Sequence, residues 1–288
     1  MSVESDASHD PVMVAEVIGF LRDRGFVVDM TVGAGGHAEA LLEAGVQRVV
    51  GVDRDPSALS LAKARMEPFG ARFEGLESRF SEVDETLVGG RADGVLYDLG
   101  VSSMQLDRPE RGFSYRVDGP LDMRMSDAGT SAADLVNELS ERDLADLIFE
   151  FGEEHRSRRV AHAIVRNRPI HSTDQLARVV AGALGRRPGG PHPARRTFQA
   201  LRIAVNREIE EIAASLPQAV DLLGPGGRVI VISYHSLEDR VVKQTFRDQE
   251  RLSILTKKPQ RPTADEVARN PRARSALLRA AERAEVAA

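Results

Sequence analysis

Three short apolar runs in the first hundred residues each deliver an aspartate at or near their carboxyl end. They are Gly25-Phe26-Val27-Val28-Asp29, Gln47-Arg48-Val49-Val50-Gly51-Val52-Asp53 and Gly94-Val95-Leu96-Tyr97-Asp98-Leu99. A run of this length that is apolar on both alternating faces has to be covered on both sides, which is the condition of a strand in a parallel sheet. Between the runs, residues 38–44, 56–66 and 80–87 carry helical signals, including a proline at the start of the second. Alternating strands and helices of this kind specify an α/β chain with a doubly wound sheet.

After Leu99 the alternation stops for over a hundred residues. Helical patterns take its place at 132–138, 141–151, 155–166 and 173–184. A turn-rich basic loop over 185–193 then leads to a long helix expected over 195–216. Gly224-Pro225-Gly226-Gly227 makes a turn before Arg228-Val229-Ile230-Val231-Ile232-Ser233, a run that returns to the strand pattern. The helical block is therefore expected as an insertion, over 105–215, between a first part of the sheet in 1–104 and a second in 216–288. The tail from residue 249 is basic, and 275–278 reads as a late edge strand or a helix. A length of 288 residues accommodates one large domain with such an insertion, at about 100–200 residues per domain.

The chain has no cysteine, which removes disulfide frameworks, thiolate zinc sites, iron–sulfur clusters and cysteine nucleophiles. No metal site is expected. The amino terminus has no basic stretch followed by an apolar run, and no segment approaches the roughly 18 apolar residues of a membrane span, so a cytoplasmic protein is expected. Charge is unevenly divided. Residues 1–150 hold 14 Lys/Arg against 29 Asp/Glu, whereas 151–288 hold 25 against 15. The second half, whose basic residues are mostly arginine, suits a polyanion such as nucleic acid.

The segment Asp29-Met30-Thr31-Val32-Gly33-Ala34-Gly35-Gly36-His37 stands where the first strand turns into a helix. Glycines there let the backbone approach a ligand at the helix N-terminus. Asp53 follows Gly33 by 20 residues, at a second strand end, where a carboxylate accepts hydrogen bonds from ribose hydroxyls. Together they describe a nucleoside pocket. Gly33-x-Gly35-x-x-Ala38 also fits the dinucleotide pattern, which keeps an NAD-dependent oxidoreductase open. Asp29, one turn ahead of the glycines, favours S-adenosylmethionine, because a buried carboxylate suits an ammonium group better than a pyrophosphate. Asp98, at another strand end, is placed to meet both cofactor and a target amine. Strand-end helix capping is the alternative role for Asp29 and Asp98, and a first-turn helix position for His37.

Six further motifs are more specific than any periodicity. They begin Asp98-Leu99-Gly100-Val101-Ser102-Ser103-Met104-Gln105-Leu106-Asp107, then Arg111-Gly112-Phe113-Ser114 and Asp118-Gly119-Pro120-Leu121-Asp122-Met123-Arg124-Met125. Later come Arg196-Thr197-Phe198-Gln199-Ala200-Leu201-Arg202, Ser233-Tyr234-His235-Ser236-Leu237-Glu238-Asp239-Arg240 and Asn270-Pro271-Arg272-Ala273-Arg274-Ser275. In this order, over residues 9–283, they resemble the bacterial 16S ribosomal RNA cytosine-N4 methyltransferase family. The resemblance implies a class I methyltransferase (Rossmann-like) fold with an inserted helical domain for substrate recognition. It also implies S-adenosylmethionine as cofactor and, as substrate, one cytidine in the decoding region of 16S ribosomal RNA, in a small ribosomal subunit or a late assembly intermediate. Carried over by position, the cofactor contacts fall on Gly35, Gly36, His37, Asp53, Phe80, Asp98 and Gln105, beside the Asp29 and Gly33 read above. Met104 stands where the family usually has proline and Tyr234 where it usually has phenylalanine, and the linker between Phe246 and Asn270 is short.

Methylation of an exocyclic amine needs no covalent enzyme adduct, in keeping with the absent cysteines; carbon-5 methylation of cytosine ordinarily uses a cysteine. Asp98 is the expected catalytic residue, orienting the amino group and accepting its hydrogen bond, with His235 as an assisting or merely structural histidine. The base has to leave its stack to be reached, and Phe113, Tyr115 and Tyr234 are the expected stacking aromatics. Arg186, Arg187, Arg195 and Arg196 are expected on phosphates, and Arg202 either there or bracing its own helix. A non-catalytic RNA-binding assembly factor is the remaining alternative, against which the intact glycine turn, Asp53 and Asp98 stand.

Overall fold

The computed structural model describes residues 11–100, 108–126, 128–185 and 188–285. The chain divides into two compact units, residues 1–100 with 209–288 and residues 101–208.

The first unit is built on seven strands: β1 (Phe26–Asp29), β2 (Arg48–Asp53), β3 (Phe73–Glu77), β4 (Ala92–Asp98), β5 (Leu223–Ser233), β6 (Leu252–Ile254) and β7 (Leu277–Arg283), in the order β3-β2-β1-β4-β5-β7-β6. The strands from β3 to β5 pair in parallel, and β7 runs antiparallel to β5 and β6. This is the doubly wound α/β sheet that the apolar runs predict, extended by an antiparallel pair at one side. Successive residues divide between two cores, as side chains of period 2 must. Val27, Val49, Leu96 and Ile230 enter one cluster with residues of α1 (Val14–Leu21), α2 (Gly36–Glu43) and α3 (Pro56–Arg65). Val28, Val50, Val95, Tyr97 and Val231 enter the other with α4 (Glu85–Val88) and α10 (Glu208–Leu222). Burial on both faces is why these strands read as unbroken apolar runs.

Where the structure departs from the periodicity, it does so at edges and breaks. β3 and β6, which the sequence pattern does not announce, are the two outermost strands, and neither holds a fully buried residue. Residues 80–87 form a single turn at Phe80–Glu82 and then α4, whose start is capped by Asp84 accepting from the Leu87 amide. The segment at 275–278 leads into β7, which lies inside the sheet rather than at its edge. The long helix expected over 195–216 is two, α9 (Arg195–Asn206) and α10, separated at Arg207 by a left-handed φ of 51°.

The second unit is helical: α5 (Ala132–Glu138), α6 (Glu141–Gly152), α7 (Ser157–Arg166), α8 (Thr173–Leu184) and α9. Ser131, Ser140 and Ser172 cap the starts of α5, α6 and α8, each accepting from a backbone amide three residues on. Gly152 lets α6 lie against α9, because a Cβ there would come within 2.6 Å of the Arg196 carbonyl oxygen. Leu144, Ile148, Val160, Ile164, Leu176 and Leu201 fill the core between the helices. No helix among the described residues is long and apolar enough to cross a membrane.

Candidate active site

The register of the parallel strands decides what meets what. Asp29 of β1 pairs with Gly51 of β2 and Leu96 of β4, so Asp29, Asp53 and Asp98 end three neighbouring strands at the same edge of the sheet. The carboxyl edge of a parallel sheet is where the chain leaves for its crossover helices and where ligands of such sheets bind.

The turn from β1 into α2 is held open by two left-handed glycines, Gly33 (φ 52°) and Gly35 (φ 85°). A Cβ on Gly35 would press on Met66 and Ala62 of the neighbouring helix at 3.3–3.5 Å. Gly36 opens α2 under Pro11, with no room for a side chain larger than hydrogen without displacing it, since a Cβ would lie 3.1 Å from that ring. Asp53 folds back on this turn: its Oδ2 accepts from the Gly33 amide (3.0 Å) and its Oδ1 from the Asp55 amide (2.9 Å). Each oxygen keeps a lone pair for a further donor. Burial pushes the Asp53 carboxyl up.

Asp29 is 1% exposed. Its Oδ1 accepts from the Thr31 amide at 3.1 Å, and its Oδ2 is buried with no hydrogen-bond partner. An unmatched buried acceptor costs about 1–3 kcal/mol, and desolvation pushes this carboxyl up to about 6. Such an oxygen fits a ligand that brings a charged donor. Asp98 is reached from three sides. Its amide donates to Thr31 Oγ1 (2.7 Å), its Oδ1 accepts from the Tyr234 hydroxyl (2.7 Å), and its Oδ2 lies 3.7 Å from His37 Nδ1. Burial raises the Asp98 carboxyl, while His37 and the Tyr234 hydroxyl oppose the rise. His37 is buried, and its Nε2 meets the Val12 carbonyl at 2.9 Å; a carbonyl only accepts, so that nitrogen carries a proton and Nδ1 is turned to Asp98.

Phe80 lies beyond β3 with its ring edge-on to Tyr97 at 5.7 Å. Thr31 and Val12 are participants to which no motif pointed. Thr31 stands inside the glycine segment and joins Asp29 to Asp98, but Val12 contributes only a carbonyl, a group every residue has.

The other expected residues are engaged as follows, each within its own unit. Tyr234 does not present a free ring: it packs on the sheet's core and lies against Gly100, where a Cβ would come within 3.3 Å of it. His235 caps α11 (Ser236–Asp248), its side chain accepting from the Glu238 amide while the Glu238 carboxylate accepts from the amides of Tyr234 and His235. The cap uses one ring nitrogen; the other, Nε2, is buried 3.1 Å from Glu238 Oε1. In the helical unit Phe113 is 5% exposed and belongs to the core, so it offers no face to a base. Tyr115 is half-buried, stacked on His192 with centroids 4.9 Å apart and edge-on to Phe198 at 5.7 Å. Arg195 and Arg196 are exposed at the start of α9, Arg196 within 3.7 Å of Glu154. Arg202 is held by both oxygens of Glu208 at 2.9 Å and braces the α9–α10 junction. Gln105, Arg186 and Arg187 lie outside the described residues.

Residues 6–284 match the MraW methylase family. The ribosomal RNA small subunit methyltransferase H of Methylobacterium sp. strain 4-46 is 50% identical over 314 residues, covering 99% of this chain and 93% of its own. The protein of the same name from Cyanothece sp. strain PCC 7425 is 48% identical over 285 residues, covering 98% and 96%.

Proposed function

The chain belongs to the MraW methylase family, and on that premise we propose that it methylates the exocyclic N4 amine of a cytidine in the decoding region of 16S ribosomal RNA, with S-adenosylmethionine as methyl donor. The observation that carries the chemistry is the set of three carboxylates at one sheet edge, of which Asp29 is buried and keeps an unmatched oxygen. That oxygen fits the ammonium group of the cofactor's methionine moiety, Asp53 its ribose hydroxyls, and the left-handed turn at Gly33 and Gly35 a close backbone approach. Bound there, S-adenosylmethionine supplies an electrophilic methyl group on a sulfonium.

Asp98 accepts a hydrogen bond from the N4 amino group and orients it. The carboxylate also stabilises the positive charge that grows on that nitrogen, and the proton the nitrogen sheds on methylation leaves through this carboxylate to water. Positioning of this kind accounts for most of what the residues have to do, and a chain without cysteine has no thiol for the adduct that carbon-5 methylation uses. The exposed arginines opening α9, with Arg186 and Arg187 shortly before them in the sequence, are proposed to meet RNA phosphates. Whether the substrate is free RNA or a small subunit is decided by the same experiment. Purified protein, S-adenosylmethionine and either 16S RNA or 30S particles are incubated, and nucleosides are read by mass spectrometry. N4-methylcytidine in at least one reaction is expected; methylated nucleosides of another kind, or none, overturn the reading.

A further inference from the structure

The Tyr234 hydroxyl donates to Asp98 Oδ1 at 2.7 Å. The ring that carries it is fixed. It follows β5 directly, its amide donates to Glu238 Oε2 at 2.7 Å, and its face lies against Gly100. Burial and the neighbouring acids hold the phenol well above 10, so the group stays protonated and donates. A carboxylate attached to a strand end by two rotatable bonds has its remaining freedom removed when one oxygen is held at 2.7 Å. Oδ1 then has one lone pair engaged and the Tyr234 ring beside it, and Oδ2, on the His37 side, is the less encumbered oxygen for another donor.

We propose that Tyr234 is a positioning residue for Asp98: its hydroxyl holds Oδ1 and so favours Oδ2 as the oxygen offered to the target amine. This rests on the methyl-transfer reading above. It also replaces the base-stacking role expected for Tyr234, and it is specific to a chain with tyrosine rather than phenylalanine at this place. Among the described residues, the groups that face Asp98 are His37 from α2, Asp29 across β1, Tyr234 after β5 and Glu238 from α11. His37 and Tyr234 favour the ionised carboxylate, and burial and Glu238 oppose it. Removing the hydroxyl while keeping the ring therefore moves protonation of Asp98 to higher pH.

The test compares wild type with Tyr234→Phe in two measurements. In the first, kcat for methyl transfer is followed against pH. The acid limb is expected to move up by about half to one pH unit, which lowers kcat roughly three- to tenfold on that side, with convergence at alkaline pH. KM for RNA and for S-adenosylmethionine should stay within about twofold. An unmoved limb, or a Tyr234→Ala variant whose defect lies in the KM for RNA alone, overturns the proposal in favour of stacking. In the second measurement the aspartate carboxyls are labelled with carbon-13 and titrated by NMR, the Asp98 signal being assigned by its loss in Asp98→Asn. A higher titration point in Tyr234→Phe is expected, and the same point in both proteins overturns the proposal. A wild type that transfers no methyl to RNA overturns the methyl-transfer reading instead.

Discussion

At the scale of single residues, burial has set the two carboxylates Asp29 and Asp53 apart by what each still lacks. Asp53 has both oxygens on backbone amides, so it is already held for a ligand and loses little order on binding. Asp53→Ala should weaken S-adenosylmethionine binding by about 1–3 kcal/mol, read by calorimetry; unchanged affinity removes the ribose assignment. Asp29 titrates at about 6 in the free protein, above its ordinary value because burial penalises its charge. Pairing with an ammonium requires the ionised form. Above pH 6 that form is already present, and below it a proton has to leave first. Affinity should accordingly fall by up to about tenfold per pH unit below 6, with proton release on binding in the same range. Asp29→Asn should bind weakly at every pH and lose the dependence; a variant that keeps it places the titration elsewhere. Asp98→Ala should abolish most turnover with the fold retained, and partial activity in Asp98→Asn would mark orientation as the larger part of its role.

At the scale of elements, the joints are where side chains replace helix and strand hydrogen bonds. α11 starts on a reciprocal cap between His235 and Glu238. His235→Ala should cost about 0.5–2 kcal/mol of stability, measured by chemical denaturation, and His235→Asn, which keeps an acceptor at the cap, should recover most of it. Equal losses in the two would remove the capping account. The α9–α10 break was invisible in the sequence because Arg207 carries no turn chemistry. The neighbouring Asn206 has joined α9 to a distant segment, donating to the Met123 carbonyl and accepting from the Met125 amide. β3 and β6 were equally silent, since an edge strand half in solvent has no continuous apolar run to reveal it.

At the scale of the whole molecule, acidic residues collect in the first half of the chain and basic ones in the second, so the residues proposed for the cofactor and most of those proposed for phosphate lie in different parts of the sequence. Replacing Arg186, Arg187 and Arg195 together by alanine should weaken RNA binding and flatten its log–log salt dependence by about 0.7–0.9 for each phosphate that is no longer neutralised. Cofactor affinity should not change, because Asp29, Asp53 and the glycine turn lie in the other half. Filter binding at several salt concentrations checks this, and a wild-type slope in the triple variant moves the RNA surface to other arginines, first those between Arg261 and Arg274.

The amino-acid sequence alone determined the parallel α/β class, the helical insertion and the glycine turn before α2, because each is written in neighbouring residues: apolar runs closed by aspartates, helical spacing, and glycines placed before a helix. The motif at Asp98 was legible in the same way. Tertiary structure decided which groups those residues meet. That Phe113 faces a core and that Tyr234 holds Asp98 depend on packing between segments up to 136 residues apart. No local pattern specifies such contacts, since aromatic and imidazole side chains serve cores, caps and ligands with the same chemistry, and only the surroundings assembled by folding choose among those uses.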